Sequence, residues 1–312
     1  MSVFTPVSRD QLDAWLKPCK LGPVLELTGI AAGVQNTNYF VTTPRGRWVL
    51  TLFEHLTAGE LRPYLGFMAH LAARGIPCPA PVADAGGEVL RPLNGKPAVL
   101  VSCLSGHDLA EPGELHCAAL GDLLARLHLA GSDFSPRWPN PRGGAWRTAT
   151  AARVAPYLDA ADRSLLTAEV ALHVQPETSL PRGLIHGDLF RDNALFEAEC
   201  LTGVLDFYFA GEDALLFDLA VAANDWCLDA AGDLDPVRTR ALLAAYGARR
   251  PLLAAEESAW NAMLRLAALR FWLSRLEDFH LPRPGNQVLV KDPMHFRCLL
   301  QRRIEHSAPW LS

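Results

Sequence analysis

The stretch His186-Gly187-Asp188-Leu189-Phe190-Arg191-Asp192-Asn193 decides how this chain is read. A short apolar run, Leu184-Ile185, leads into it, and a second, Val204-Leu205, leads into Asp206, 18 positions after Asp188 (206 − 188). Asp188 and Asn193 stand five positions apart (193 − 188) on one loop and can divide the labour. A carboxylate there can accept the proton of a hydroxyl nucleophile. An amide oxygen is a hard ligand of the kind Mg²⁺ prefers. Asp206, at a strand end, adds a carboxylate for the magnesium ions that bridge nucleotide phosphates. One base and two metal ligands is the set that phosphoryl transfer asks of a protein. Asp, Asn and Gly are common in any loop, so a lone His-x-Asp says nothing. The eight-residue pattern, followed at this distance by apolar-apolar-Asp-Phe, is far more specific.

On either side of this stretch the chain changes texture. The first hundred residues read as strands with one or two helices. Ser8, with Gln11 three residues on, caps a short helix over 8–16. Asn38–Thr43 and Arg47–Phe53 flank Pro44-Arg45-Gly46 and form a hairpin. A helix over 58–74 ends at Gly75, and Pro77, Pro79 and Pro81 forbid its continuation. Ala85-Gly86-Gly87 and Leu93-Asn94-Gly95-Lys96 are turn signals, and Ala98–Leu104 is a buried strand. After Ser105-Gly106 come helices over 115–129, 151–174, 236–246 and 254–279, with a Pro/Gly-rich loop over 136–144. The decisive stretch is a β island within this helical part. The expected architecture is α+β in two lobes, 1–104 and 105–312, with a ligand site between them.

Composition narrows the function. The 312 residues are half hydrophobic and one-fifth charged, as in a well-packed globular protein. A net charge of −5 argues against a nucleic-acid partner. No window approaches the apolar length of a membrane span, and the N-terminus lacks the pattern of a signal peptide. Seven cysteines without a C-x-x-C pair read as reduced thiols. These features predict a cytoplasmic protein without a nucleic-acid partner or a membrane span.

Seven blocks spread over almost the whole chain carry a resemblance. They are Gly33–Val41, Val49–Glu54, Leu71–Gly75, Ala125–His128, Ile185–Asn193, Leu205–Ala210 and Ala268–Leu276. The His-Gly-Asp-Leu and Val-Leu-Asp-Phe blocks resemble those of the aminoglycoside phosphotransferase and choline kinase superfamily. Within it the chain is most similar to the bacterial homoserine kinases of that fold, above all in Asp206-Phe207-Tyr208-Phe209-Ala210. The resemblance implies a protein-kinase-like fold, with an antiparallel-sheet N-lobe that binds nucleotide and a mainly helical C-lobe that carries catalysis and substrate. It also implies ATP and Mg²⁺, and transfer to the side-chain hydroxyl of homoserine on the route to threonine. Carried over by position, Asp188 is the base, Asn193 and Asp206 are the metal ligands, and His186 braces the loop.

Other roles are less sharply marked. Thr28–Gly33, with Gly29 and Gly33, forms a turn over the nucleotide phosphates or an ordinary hairpin turn. The hinge residues Ser102, Cys103 and Leu104 offer backbone groups to adenine. Protein kinases carry a Lys on the strand read here as Val49-Leu50-Thr51-Leu52, where this chain has none. Arg47, the glycine turn or the metal alone must then neutralise phosphate. An amino-acid substrate needs a cation for its carboxylate, and Arg270 and Arg275 offer guanidinium groups. Each could equally be a surface residue or an ion-pair partner. Asp225 is a candidate for the ammonium, and Asp218 for support of the catalytic loop. Two further readings stay open: a kinase for another small hydroxylated substrate such as an aminoglycoside or choline, and a nucleotide-binding protein without catalysis.

Overall fold

The computed structural model describes residues 3–30, 36–173, 179–282 and 291–306. The chain divides between Ser105 and Gly106 into two compact units.

The first unit is built on a five-stranded antiparallel sheet. Helix α1, Arg9–Leu16, starts with the box expected from its sequence: Ser8 accepts from the Gln11 amide, and the Gln11 side chain returns to Ser8. Strands β1 (Glu26–Gly29), β2 (Asn36–Thr43) and β3 (Gly46–Phe53) follow. After helix α2, Ala58–Ala73, come β4 (Leu90–Leu93) and β5 (Lys96–Ser102). The order across the sheet is β1-β2-β3-β5-β4. The β4–β5 turn places Asn94 and Gly95 at φ of 50° and 77°. That is the left-handed pair a tight hairpin demands. Leu12 and Leu16 of α1 pack with Val41, Leu50, Leu52 and Leu100 of the sheet into one buried core.

Two expectations are corrected in this unit. Gly29 sits in strand β1, opposite Tyr39, rather than in a turn. The apolar run over 98–104 leaves the ladder at Ser102. Gly33, the second glycine of the expected phosphate turn, lies outside the described residues.

The second unit is mainly helical. It contains α3 (Glu114–Ala130), α4 (Gly144–Val154), α5 (Ala160–Leu172), α6 (Leu215–Trp226), α7 (Pro236–Arg249), α8 (Ala254–His280) and α9 (Met294–Glu305). Two short hairpin-like sheets interrupt the helices. Strand β6 (Arg182–Ile185) pairs with β9 (Gly211–Ala214), and β7 (Ala194–Glu197) with β8 (Cys200–Val204). Helices α3 and α7 approach so closely that a Cβ on Gly121 would stand 2.1 Å from the Leu242 carbonyl oxygen.

The single helix expected over 151–174 is two. Pro156 has no N–H to give and fixes its own φ, so α4 ends in a one-turn 3₁₀ segment over Ala155–Tyr157. Asp159 then caps α5 by accepting from the Asp162 amide at 2.8 Å. Helix α6 was not anticipated. It is buried along nearly its whole length, Asp218 included. Strand β1 and helix α9 were likewise missed. Among the described residues no helix is long and apolar enough to cross a membrane.

Candidate active site

The residues of the expected catalytic loop, 186–193, are all in the second unit. Strand β6 delivers His186 from the interior, and the loop runs through Asp188 to a 3₁₀ turn over Arg191–Asn193. Gly187 takes a φ of 76°, and a Cβ there would come 2.9 Å from the Phe209 carbonyl oxygen. Only glycine fits such a position.

Asp218, from the first turn of α6, is fully buried and organises the loop. Its carboxylate accepts from the backbone amides of His186 at 2.6 Å and Gly187 at 2.7 Å. It also accepts from His128 Nε2 at 3.0 Å. With Nε2 donating, His128 Nδ1 is an acceptor. The Tyr246 hydroxyl, 2.8 Å away, donates to it. Burial alone would raise the Asp218 pKa, but the hydrogen bonds it accepts from His128 and the Gly187 amide outweigh burial and hold it below the usual range.

His186 bridges two segments. Its Nε2 donates to the Leu205 carbonyl at 2.8 Å, and its Nδ1 accepts from the Asp188 amide at 3.3 Å. Its ring packs against Phe207, with centroids 4.7 Å apart. Burial lowers its pKa, which keeps it neutral in this bridging tautomer. The Leu205 amide returns a bond to the Asn193 carbonyl at 2.9 Å. The loop is thereby tied to the strand end that carries Asp206.

Asp188 itself meets two partners. Arg270 Nη1 lies 3.2 Å from its Oδ1, with both side chains largely buried. Asn193 Nδ2 donates to its carbonyl at 2.9 Å and reaches Oδ2 at 3.4 Å. Burial pushes the Asp188 carboxyl up to about 6, against the pull of Arg270. Burial also pushes Asp206 up to about 6, and the nearby Asp188 charge adds to it. Asp206 is held in the left-handed region, at φ 59° and ψ 66°. Non-glycine residues accept that strain mainly at functional sites.

The residues fit a divalent cation. Asn193 spends its amide nitrogen on Asp188, which leaves its oxygen as a hard donor, and Asp206 contributes a carboxylate close by. Among the described residues no three His, Cys, Asp or Glu side chains gather as a complete metal cage. An ion here would need further oxygens from nucleotide phosphates and water, as Mg²⁺ in phosphoryl-transfer sites does.

The Asp206–Ala210 block extends the site. Phe209 lies under both Arg270, at 5.1 Å, and Arg142, at 5.4 Å. Arg270 also stacks on Phe271 at 3.7 Å. The Ala210 carbonyl accepts from Trp138 Nε1 at 2.8 Å. Trp226 Nε1 donates to the Leu189 carbonyl at 3.2 Å, so this tryptophan braces the loop as well as filling the core.

Other candidates have different surroundings. Both oxygens of Asp225 are engaged by Arg191, through its backbone amide at 2.8 Å and its guanidinium at 3.2 Å. Asp225 therefore holds Arg191 and the loop that carries it, and it also lines the groove beside that loop. Arg275 is half-buried and lines a groove of about 460 Å³ with Asp108, Phe190, Asp192 and Phe296. Gly29, Ser102, Cys103 and Leu104 belong to the first unit. There the Ser102 amide is bonded to the Ala80 carbonyl and the Cys103 amide to the Arg47 carbonyl. Thr51, at the place of the kinase lysine, donates to Asn38 at 2.8 Å. Sequence reasoning did not find His128 or Tyr246. His128 falls in the quoted block Ala125–His128, but only the fold brings it to Asp218, 90 residues away.

Residues 26–252 match the model of the phosphotransferase enzyme family. The chain is 54% identical to the homoserine kinase of Methylobacillus flagellatus over 305 residues, covering 97% of this chain and 96% of that one. It is 50% identical to the homoserine kinase of Janthinobacterium sp. over 315 residues, covering 99% and 98%. Among solved structures it resembles a spectinomycin phosphotransferase bound to ADP and spectinomycin, with a TM-score of 0.68 at 13% identity over 96% of this chain and 98% of that one. Choline kinase from Cryptosporidium parvum matches with a TM-score of 0.68 at 13% identity, over 96% and 95%. These distant structures share the fold.

Proposed function

The chain belongs to the phosphotransferase enzyme family, and we infer from this and from its near-full-length relatives that it transfers the γ-phosphoryl group of ATP to the side-chain hydroxyl of L-homoserine. The product is O-phospho-L-homoserine, a step of threonine biosynthesis. The observation that carries the chemistry is the buried Asp188 carboxylate, fixed by Arg270 and Asn193 beside Asp206.

The step balances on this chain's own groups. The homoserine hydroxyl oxygen forms a bond to the γ-phosphorus as the bond to the bridging oxygen of ADP breaks. Asp188 takes the hydroxyl proton, for which its raised proton affinity suits it. Asp206 and Asn193 would hold Mg²⁺, which when bound neutralises the charge of the phosphates. Arg270 keeps Asp188 oriented. Asp218, with His128 and Tyr246 behind it, fixes the backbone of the catalytic loop. The first unit would bind the nucleotide, through backbone groups of the Ser102–Leu104 hinge and the glycine-bearing segment over 28–33. An ATP-dependent biosynthetic step and seven unpaired cysteines fit a cytoplasmic setting.

The reading is tested by incubating the full chain with ATP, Mg²⁺ and L-homoserine and following phosphorus NMR. A phosphomonoester signal that co-migrates with authentic O-phosphohomoserine is expected, forming about a hundredfold or more slowly with Asp188→Asn. ATP left intact in the wild-type mixture would overturn it.

A further inference from the structure

The groove beside the catalytic loop carries charges of both signs, and most are already spent on one another. Arg191 is paired with Asp225 at 3.2 Å, and Lys291 with Asp192 at 3.4 Å. Arg270, next along α8, is committed to Asp188. Asp292 accepts from the Met294 amide at 2.9 Å. Arg275 differs from all of these cations. Among the described residues it has neither a hydrogen bond nor an ion pair, and its ring contact is with Phe296 at 6.0 Å.

The surroundings of Arg275 suit a small zwitterion. Phe271, one helical turn before it, stacks on Phe296 at 5.2 Å, and Phe190 of the catalytic loop meets Phe271 edge-on at 4.4 Å. Phe190 and Phe296 line the groove, backed by the buried Phe271, and form an apolar wall against which two methylene groups can lie. Asp108 on the groove's edge has no partner among the described residues. Asp192 holds only an exposed lysine, a pairing that is weak in water. Arg275 is also near enough to Asp188 for its charge to bear on that carboxyl.

We propose that Arg275 is the anchor for the α-carboxylate of the acceptor amino acid, with the ammonium turned to the Asp108 and Asp192 edge and the hydroxyl directed at Asp188. A guanidinium left unpaired in a half-buried groove is a ready partner for a carboxylate, which it can grip with two parallel hydrogen bonds. The assignment rests on the homoserine reading above and deepens it. It separates the two helix arginines: Arg270 serves the base, and Arg275 serves the substrate.

The test measures steady-state constants for L-homoserine and ATP in wild type, Arg275→Gln and Arg275→Lys. It adds inhibition constants for 4-hydroxybutyrate, which lacks the ammonium, and 3-amino-1-propanol, which lacks the carboxylate. Arg275→Gln should raise the homoserine KM by about ten- to a hundredfold, the scale of a lost charged hydrogen bond. Its ATP KM and melting temperature should stay with wild type, and Arg275→Lys should fall between. The 4-hydroxybutyrate inhibition constant should rise in parallel, while that of 3-amino-1-propanol stays put. An unchanged homoserine KM in Arg275→Gln, with wild type active, would overturn the anchor alone. A rise for 3-amino-1-propanol equal to that for 4-hydroxybutyrate would also overturn it, because the effect would then not be on the carboxylate. Wild type inactive on homoserine would instead remove the function on which the assignment stands.

Discussion

Arg270 Nη1 and Asp188 Oδ1 stand 3.2 Å apart in a buried ion pair, braced between the rings of Phe209 and Phe271. A charge pair of this kind offsets its own desolvation only while both members are present. The helix arginine and the Asp188 carboxylate therefore act as one unit.

That pairing sets a pH dependence. Burial pushes the Asp188 carboxyl up to about 6, and Arg270 opposes the rise. A base must be ionised to accept a proton, so kcat/KM should fall as pH drops through about 6. Arg270→Gln removes the opposing cation, so the acid limb should move to higher pH, by about one unit or more. A limb at the same pH in both proteins would contradict the pairing's role.

Asp218 accepts two backbone amides and His128 at once. Asp218→Asn turns part of that acceptor into a donor facing other donors. A loss of about 2–3 kcal/mol is expected in a urea melt, with a fall in kcat that exceeds any change in the ATP KM. A variant that melts with wild type and turns over normally would exclude the loop-fixing role.

Gly121 allows α3 and α7 to touch. Alanine is the better helix former by about 1 kcal/mol, yet its Cβ would meet the Leu242 carbonyl at 2.1 Å. The clash should win, with a net cost of about 1–3 kcal/mol and unchanged kcat in the molecules that remain folded. Stabilisation by Gly121→Ala would show that the two helices have room to separate.

His173 should make stability depend on acid. Burial, helped by Arg147 and Arg265, lowers its pKa from 6.5 to about 4. Between those values the unfolded chain binds a proton that the folded chain does not, so stability rises with pH across that window. The loss is complete below about pH 4. It amounts to about 3 kcal/mol, at the energy of one pKa step per unit. His173→Gln should flatten the melting temperature relative to wild type between pH 6.5 and 4. Parallel curves for the two proteins would contradict this.

Much of the site was legible because its residues are adjacent in the chain. His186, Asp188 and Asn193 share one loop, and Asp206 follows at a fixed distance. Local caps were legible too, as at Ser8 and Gln11. What sequence could not show is who already holds whom. Asp225 and Arg270 carry the right charges for a substrate, but Arg191 and Asp188 have taken them. His128 and Tyr246 reach the 186–193 loop only through tertiary packing. Pro156 stands in plain view, yet the apolar spacing runs on past it and masks the break.

A coupled assay of ADP release over a panel of acceptors tests the central claim most directly. With ATP and Mg²⁺ held constant, L-homoserine, choline and kanamycin are compared with a blank, in wild type and in Asp188→Asn. The account predicts homoserine-dependent ADP release in wild type, reduced by about two orders of magnitude or more in Asp188→Asn, and no release above the blank with choline or kanamycin. ADP release with choline or kanamycin, and none above the blank with homoserine, would contradict it.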